Sequence, residues 1–486
     1  MIDLTIDQAG LEHAISRARE RDIVIPTFAQ MRDPGTIPAE VGGRLESVGL
    51  WDLDPLNLFR ITWHNQPVEK GGRFGEVNRI EFPSELTGVA ARIVALVGKW
   101  FPTGAHKVGA AFGCLVPRLV TGQFDPTTQK SAWPSTGNYC RGGAYDANLL
   151  ACESIAILPE GMSAERFAWL ESVAGEVIKT PGSESNVKEI FDKCAELRAS
   201  GEDIVVFNQF DEFGNYLWHY TVTGPAMHEV FETVAGDGDR LAAVTYSTGS
   251  AGTIASADFL RRHYPTVKVA ASEALQCPTL MWNGYGSHRI EGIGDKHVPW
   301  IHNVRNTDVV TGIDDAGPMA LIRLFNEPAG IDYLVSRGLP ETLVTRLPEL
   351  GISSIANLLS AIKLAKWFEM GSNDVVLTIA TDSMDMYQSR LVEERDRLGD
   401  FTSTDAAVAH QRWLLGESTA HVEELGHWDR RRIHNLKYFT WVEQQGKEVA
   451  ELDRQWHDPT YWAEIQGMIG PIDRLIEDFN DRAAAS

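Results

Sequence analysis

The chain has 486 residues, 43% hydrophobic and 23% charged, which is the composition of a globular protein of two or three lobes rather than a disordered one. Its 44 basic and 67 acidic residues give a formal charge of -23, a field that repels polyphosphate and argues against nucleic acid or anionic membrane surfaces as partners. Five scattered cysteines with no CxxC pair exclude a disulfide framework and a zinc ribbon, and suggest a reducing cytoplasm.

At the N-terminus, MIDLTIDQAGLEHAISR lacks the basic-then-apolar layout of a signal peptide. No stretch approaches the ~20 apolar residues of a membrane span. Leu11, Ala14, Ile15 and Ala18 recur at helical spacing, followed by the turn clusters MRDPGTIP and EKGGRFGE. Residues 1–84 are read as an N-terminal extension. From about residue 85 short apolar runs alternate with helical patterns. ARIVALVG precedes VGAAFGCLVPRLV, KSAWPS precedes RGGAYDANLLA, and SIAILP precedes AERFAWLESVA. The rhythm continues through GEVIKT, DIVVFNQF, RLAAVTYST and VKVAASEA to the pair SSIANLLSAIKLAKWF and NDVVLTIAT. Short buried strands separated by helices indicate an α/β fold with mostly parallel sheets covered on both faces, over residues 85–390. Residues 391–486 read as a helical C-terminal extension carrying five of the fourteen tryptophans. Its run His421–His427 lacks the HExxH spacing of a metal helix and reads as solvated surface, so no metal site is expected.

Three loops follow a strand and precede a helix, the place where open α/β sheets bind ligands. They are Pro102–Lys107, Ser135–Cys140 and Ser247–Thr253. In the third, glycines permit close backbone approach, the next helix offers free N–H groups, and hydroxyls add donors: a phosphate cradle, although without the GK[ST] of a P-loop. A dinucleotide turn is the rival, and Glu273, 20 positions after Thr253, stands where such a site wants an acid. Lys107 is either a snorkelling surface residue or a buried amine able to form an imine. An imine-forming lysine beside a phosphate cradle implies pyridoxal phosphate. Together with Asn138, Lys107 disfavours the nicotinamide reading.

These segments resemble the fold type II pyridoxal-phosphate enzymes, the group of cysteine synthase and the tryptophan synthase β subunit. Pro102–Lys107 resembles the P-T-G-S-F-K motif in its T-G-A-H-K form, Ser135–Asn138 the S/T-S/T-G-N loop, and Thr248–Thr253 the G-T-G-G-T phosphate binder. Asn208-Gln209-Phe210, His219, Glu291–Gly294 and Gly351–Ser354 follow in the same order as in cysteine synthases. The resemblance implies a two-lobed fold and a homodimer. It implies that Lys107 carries the cofactor as a Schiff base, with His106 near it, and that Asn138 faces the ring hydroxyl. Ser135, Thr136 and Gly137, with Tyr139 beside them, would hold the substrate carboxylate. Thr248, Gly249, Ser250, Ala251, Gly252 and Thr253 would hold the phosphate, and Thr381 or Ser383 would meet the ring nitrogen. A hydroxyl there cannot keep that nitrogen protonated. The expected reaction is therefore β-elimination or β-replacement on a Cβ-substituted cysteine or serine derivative through an aminoacrylate, with Lys107 as base. A dehydratase or ammonia-lyase acting on serine, threonine or a diamino acid is the alternative. Tyr139-Cys140 stands where cysteine synthases have Thr-Gly, which bears on substrate choice.

Overall fold

The structure, a computed structural model, describes residues 1–67, 72–135, 137–182, 187–293 and 296–485. Eleven strands form two sheets among these residues: β1 (Arg79–Phe82), β2 (Arg92–Val97), β3 (Lys130–Pro134), β4 (Glu153–Pro159), β5 (Glu176–Thr180), β6 (Ile204–Val206), β7 (Arg240–Ser247), β8 (Lys268–Ala274), β9 (Val309–Ile313), β10 (Asp374–Ala380) and β11 (Val422–Glu424).

The larger sheet runs β1-β2-β10-β7-β8-β9-β11 and the smaller β5-β4-β3-β6, so the small lobe is inserted in the chain between β2 and β7. The small sheet is wholly parallel. The large sheet is parallel except at its two edges, where β1 and β11 pair antiparallel. In the centre β10 lies between β2 and β7, with Val375 opposite Arg92 and Val376 opposite Ala243. All seven residues of β10 are buried. That follows from a parallel strand covered on both faces, which needs apolar residues at every position rather than at alternate ones. Successive side chains part to opposite sides. Ile93, Ala95 and Val376 join the core under helices Ala316–Asn326 and Ile352–Trp367, while Val94, Leu96 and Leu377 join the core with Val230 and Leu260.

Two elements depart from the sequence reading. β1 was hidden in a region of turns, and β11 falls within the stretch expected to be helical. Both are short edge strands, and β11 is a half-buried VEE with no apolar run to announce it. The terminal regions also meet. Helix Gln8–Glu20 packs on Ile469–Ala484, and the Asp473 carboxylate accepts from the N–H groups of Phe28 and Ala29 at the start of the next helix. Among the described residues no helix is long and apolar enough to cross a membrane.

Candidate active site

A cleft opens where the C-terminal ends of β2, β3, β7 and β10 converge, and four loops each supply part of its lining. This is the switch point of an open α/β sheet, where helix N-termini and free backbone groups face one crevice. After β2 the chain makes two tight turns and enters helix Lys107–Val120 at Lys107 itself. Thr103 there takes a left-handed φ of 67°. A left-handed non-glycine residue costs energy that only a well-packed surround sustains, and such positions cluster at functional sites. Lys107 is half-buried. Its Nζ donates to Ser250 Oγ at 2.8 Å and to Gln209 Oε1 at 3.4 Å. The lysine thus reaches the turn read as a phosphate cradle, and the snorkelling alternative is not the conformation adopted.

In the loop after β7, Gly249, Ser250, Ala251 and Thr253 line the cleft. Ala251 takes a φ of 59°, which explains why glycine suits this place. A Cβ on Gly252 would stand 2.0 Å from Asn215 Oδ1, so that glycine admits the buried Asn215, whose Nδ2 donates to Ser250 Oγ. Thr248 turns away and donates to Ser272 O.

In the loop after β3, Ser135 Oγ accepts from Gly137 N and from Gln209 Nε2, linking this loop to the lysine through Gln209. Thr136 lies outside the described residues. Asn138 opens helix Asn138–Leu149 and donates from Nδ2 to Asp382 Oδ2 at 2.6 Å, while its buried Oδ1 has no hydrogen-bond partner among the described residues. Tyr139 lines the cleft, but its ring packs edge-on against Trp133 and its hydroxyl lies beside the Cys114 thiol, so the phenol is aimed into the core. Burial pushes that phenol's pKa well above the ordinary value. Cys140 is a buried filler whose thiol, raised by burial to about 12, donates to Gly137 O.

In the loop after β10 the two candidate hydroxyls face different surroundings. Thr381 lines the cleft and its Oγ1 lies 3.3 Å from His106 Nε2. Ser383 does not line it: its Oγ accepts from Asp385 N and caps the turn Met384–Met386. His106 is fully buried, and burial first, then the Lys107 charge, holds it well below the ordinary histidine pKa, so it is neutral. Its ring lies 5.1 Å from that of His219 and 5.5 Å from Trp63. His219 and Thr223 share a π-helical segment, His219 Nδ1 lies 2.9 Å from Thr223 Oγ1, and Trp63 Nε1 donates to that same oxygen. Glu273, the possible ribose acid, is instead spent on the backbone N–H groups of Leu280 and Met281.

Behind Asn138 lies a charged cluster that the motifs did not reveal. Arg166, with no exposed surface, pairs with Glu291 and donates to Tyr387 Oη at 2.7 Å. Tyr387 in turn donates to Asp382 Oδ2 at 2.6 Å, and Arg390 also pairs with Glu291. Gly137 adopts a φ of 152°, and a Cβ there would stand 2.6 Å from Arg166 Nε, so the loop rests directly on the guanidinium. Only buried charges within reach of one another survive such burial, and sequence spacing of 125 residues between Arg166 and Glu291 gave no hint of it.

The polar groups of the cleft suit one kind of ligand. An amine, a Gly-rich turn with backbone donors, an unpartnered amide oxygen and a hydroxyl at the far wall match a planar ring carrying a carbonyl, a phosphate and a ring oxygen. Comparison with known proteins agrees. The family model for "Pyridoxal-phosphate dependent enzyme" matches residues 98–330. A cysteine synthase of Staphylococcus aureus (strain Mu50 / ATCC 700699) is 27% identical over 259 residues, 53% of this chain and 74% of that protein. A probable cysteine synthase of Bacillus subtilis (strain 168) is 27% identical over 301 residues, 62% of this chain and 89% of that protein. The solved O-acetylserine dependent cystathionine beta-synthase from Helicobacter pylori superposes with a TM-score of 0.54 at 24% identity, covering 65% of this chain and 95% of that one, which is a likeness of fold.

Proposed function

Starting from a chain that belongs to the fold type II pyridoxal-phosphate-dependent enzymes, and whose reaction class is β-replacement or elimination, we propose that it acts on a serine or cysteine derivative carrying a leaving group on Cβ. The observation that carries this reading is the reach of Lys107 Nζ to Ser250, in a cleft that Asn138 and Thr381 also line. In this reading Lys107 holds the cofactor, the 249–253 turn its phosphate, Asn138 its ring oxygen and Thr381 its ring nitrogen. The bound cofactor supplies an electron sink that acidifies the Cα–H of the amino acid.

The chain's own residues do the rest. Ser135 and Gly137, with Thr136 between them, bind the substrate carboxylate and orient Cα. The Lys107 amine, 2.8 Å from Ser250, takes the Cα proton as general base. Thr381 is a hydroxyl whose neighbour is a neutral imidazole, so neither group delivers a lasting positive charge to the ring nitrogen. Negative charge at Cα is then relieved by departure of the Cβ substituent rather than by reprotonation. The core-directed Tyr139 leaves the carboxylate loop open, which supports retention of an ordinary α-amino acid site. The protein is taken as a cytoplasmic homodimer, a state that sedimentation of the purified chain tests.

The experiment is a substrate screen: O-acetylserine, O-phosphoserine, cysteine, serine and threonine, each with and without sulfide, assayed for new amino acid, sulfide, keto acid and ammonia. Turnover of a Cβ-substituted alanine is expected. Ammonia from threonine with no activity on any serine or cysteine derivative would overturn the reading in favour of a dehydratase.

A further inference from the structure

None of the described residues that line the cleft lies beyond Thr381, so residues 391–486 have no direct part in it. They nevertheless hold its Gln209–Phe210 wall from behind, through one intervening segment. Lys437, the last residue of helix His427–Lys437, has no exposed surface. Its Nζ donates to Trp300 O at 2.9 Å, to His302 O at 2.7 Å and to Gln455 Oε1 at 2.7 Å. Four residues on, Trp441 Nε1 donates to Val298 O at 2.8 Å. The carbonyls of Val298, Trp300 and His302, at alternate positions of one segment, thus receive N–H groups from two side chains of the extension. On the segment's C-terminal side Arg305 donates to Trp456 O at 2.8 Å.

A segment outside helix and sheet that buries its carbonyls needs donors from elsewhere. Lysine is a costly donor to bury. Burial alone acts on this one, pushing its pKa well below the ordinary value. The grip survives either protonation state, because a neutral amine still has two N–H groups for the two backbone carbonyls, which can only accept.

By its other edge the same segment reaches the cleft. Ile301 N donates to Phe210 O at 3.3 Å, and the His297 ring stands edge-on between Phe210, at 5.0 Å, and Trp441, at 5.6 Å. Lys447 adds a direct tie to the neighbouring Asp211 at 2.7 Å. Phe210 lines the cleft, and Gln209 beside it accepts from Lys107 Nζ and donates to Ser135 Oγ.

We propose that Lys437 is a positioning residue for the cleft: by fixing residues 298–302 it sets where Gln209 and Phe210 stand, which gives the C-terminal extension a part in a site it does not line. The proposal rests on the cleft being the active site and not on the amino acid assigned to it.

The test is amide hydrogen exchange of the full-length protein, read by mass spectrometry on peptides covering 297–304, 207–213 and strand β10, whose slowest amides report opening of the whole fold. Lys437→Met keeps an unbranched apolar stem but no donor. It should speed exchange about tenfold over 297–304, and by less over 207–213, with β10 unchanged. In the loaded enzyme, KM for the amino acid found by the substrate screen should rise about tenfold with kcat within about threefold of wild type, because Lys107 keeps its bond to Ser250 while the Phe210 wall loses its place. Faster exchange confined to 297–304, an equal rise in β10, or an unchanged KM would overturn the proposal. Should Lys437→Met fail to fold, Trp441→Phe removes the donor to Val298 and keeps a ring against His297; wild-type exchange over 207–213 in that variant would overturn it equally. A wild-type protein that takes up no pyridoxal phosphate would refute the reading of the cleft instead, and the exchange measurement tells the two failures apart.

Discussion

The two walls that flank Lys107 handle buried polarity in opposite ways. On the Asn138 side the groups are charged and cross-paired, with Arg166, Glu291, Asp382 and Arg141 within one cluster. On the Thr381 side they are neutral: His106 and His219 are both fully buried, both held well below the ordinary histidine pKa chiefly by burial, and linked to hydroxyls and an indole. Two imidazoles edge to face cannot both be cations in a dry site, whereas guanidinium and carboxylate lower each other's cost. One wall is therefore built of paired charges and the other of neutral polar groups, with Lys107 between them.

The largest effect should come from removing that lysine. Lys107→Ala should cut turnover by at least about 10³-fold, with the circular dichroism spectrum unchanged; a variant that retains most of its rate would leave the walls without a common purpose.

Next is the charged wall. Arg166→Met leaves Glu291 and Asp382 short of a buried partner and should lower unfolding free energy by about 3 kcal/mol, read from urea midpoints. A loss below 1 kcal/mol would place the cluster among ornamental pairs.

The neutral wall should reveal itself through pH. Histidines held neutral in the fold take up a proton only on unfolding, so below the unfolded value of about 6.5 the unfolded chain binds more protons and stability falls as pH falls. His106 and His219 share this sign with His297, His302 and His434, the last three lowered to about 3 by burial first. Each contributes up to about 1.4 kcal/mol per pH unit. Urea midpoints should drop steadily from pH 6.5 to 5, and His302→Gln should flatten the slope. A flat profile would mean these rings ionise in place.

The smallest effect concerns the N-terminal region's stake in the site. Trp63→Phe keeps the ring against His106 and Phe101 but deletes the bond to Thr223, and should cost about 1 kcal/mol without changing turnover more than severalfold.

The lining of the cleft was legible where it is local. Pro102–Lys107, Ser135–Asn138 and Thr248–Thr253 each sit on a strand-to-helix turn whose glycines and hydroxyls declare themselves in a few residues. Which of Thr381 and Ser383 lines the cleft was not, because two residues on the same turn differ only in which way the backbone aims them. Arg166, Tyr387 and Trp63 escaped for a different reason. Their partners lie far along the chain, and a charge that will be buried looks in sequence like one that will be solvated. The parallel strands were readable from their unbroken apolar runs; the edge strands β1 and β11, half wet and three or four residues long, were not.

The measurement closest to the central claim is reductive trapping. The protein loaded with pyridoxal phosphate is treated with borohydride, digested and mapped by mass spectrometry. A phosphopyridoxyl group on the peptide containing Lys107, at one per chain, is the predicted result; the label on another lysine, or on none, would contradict the account.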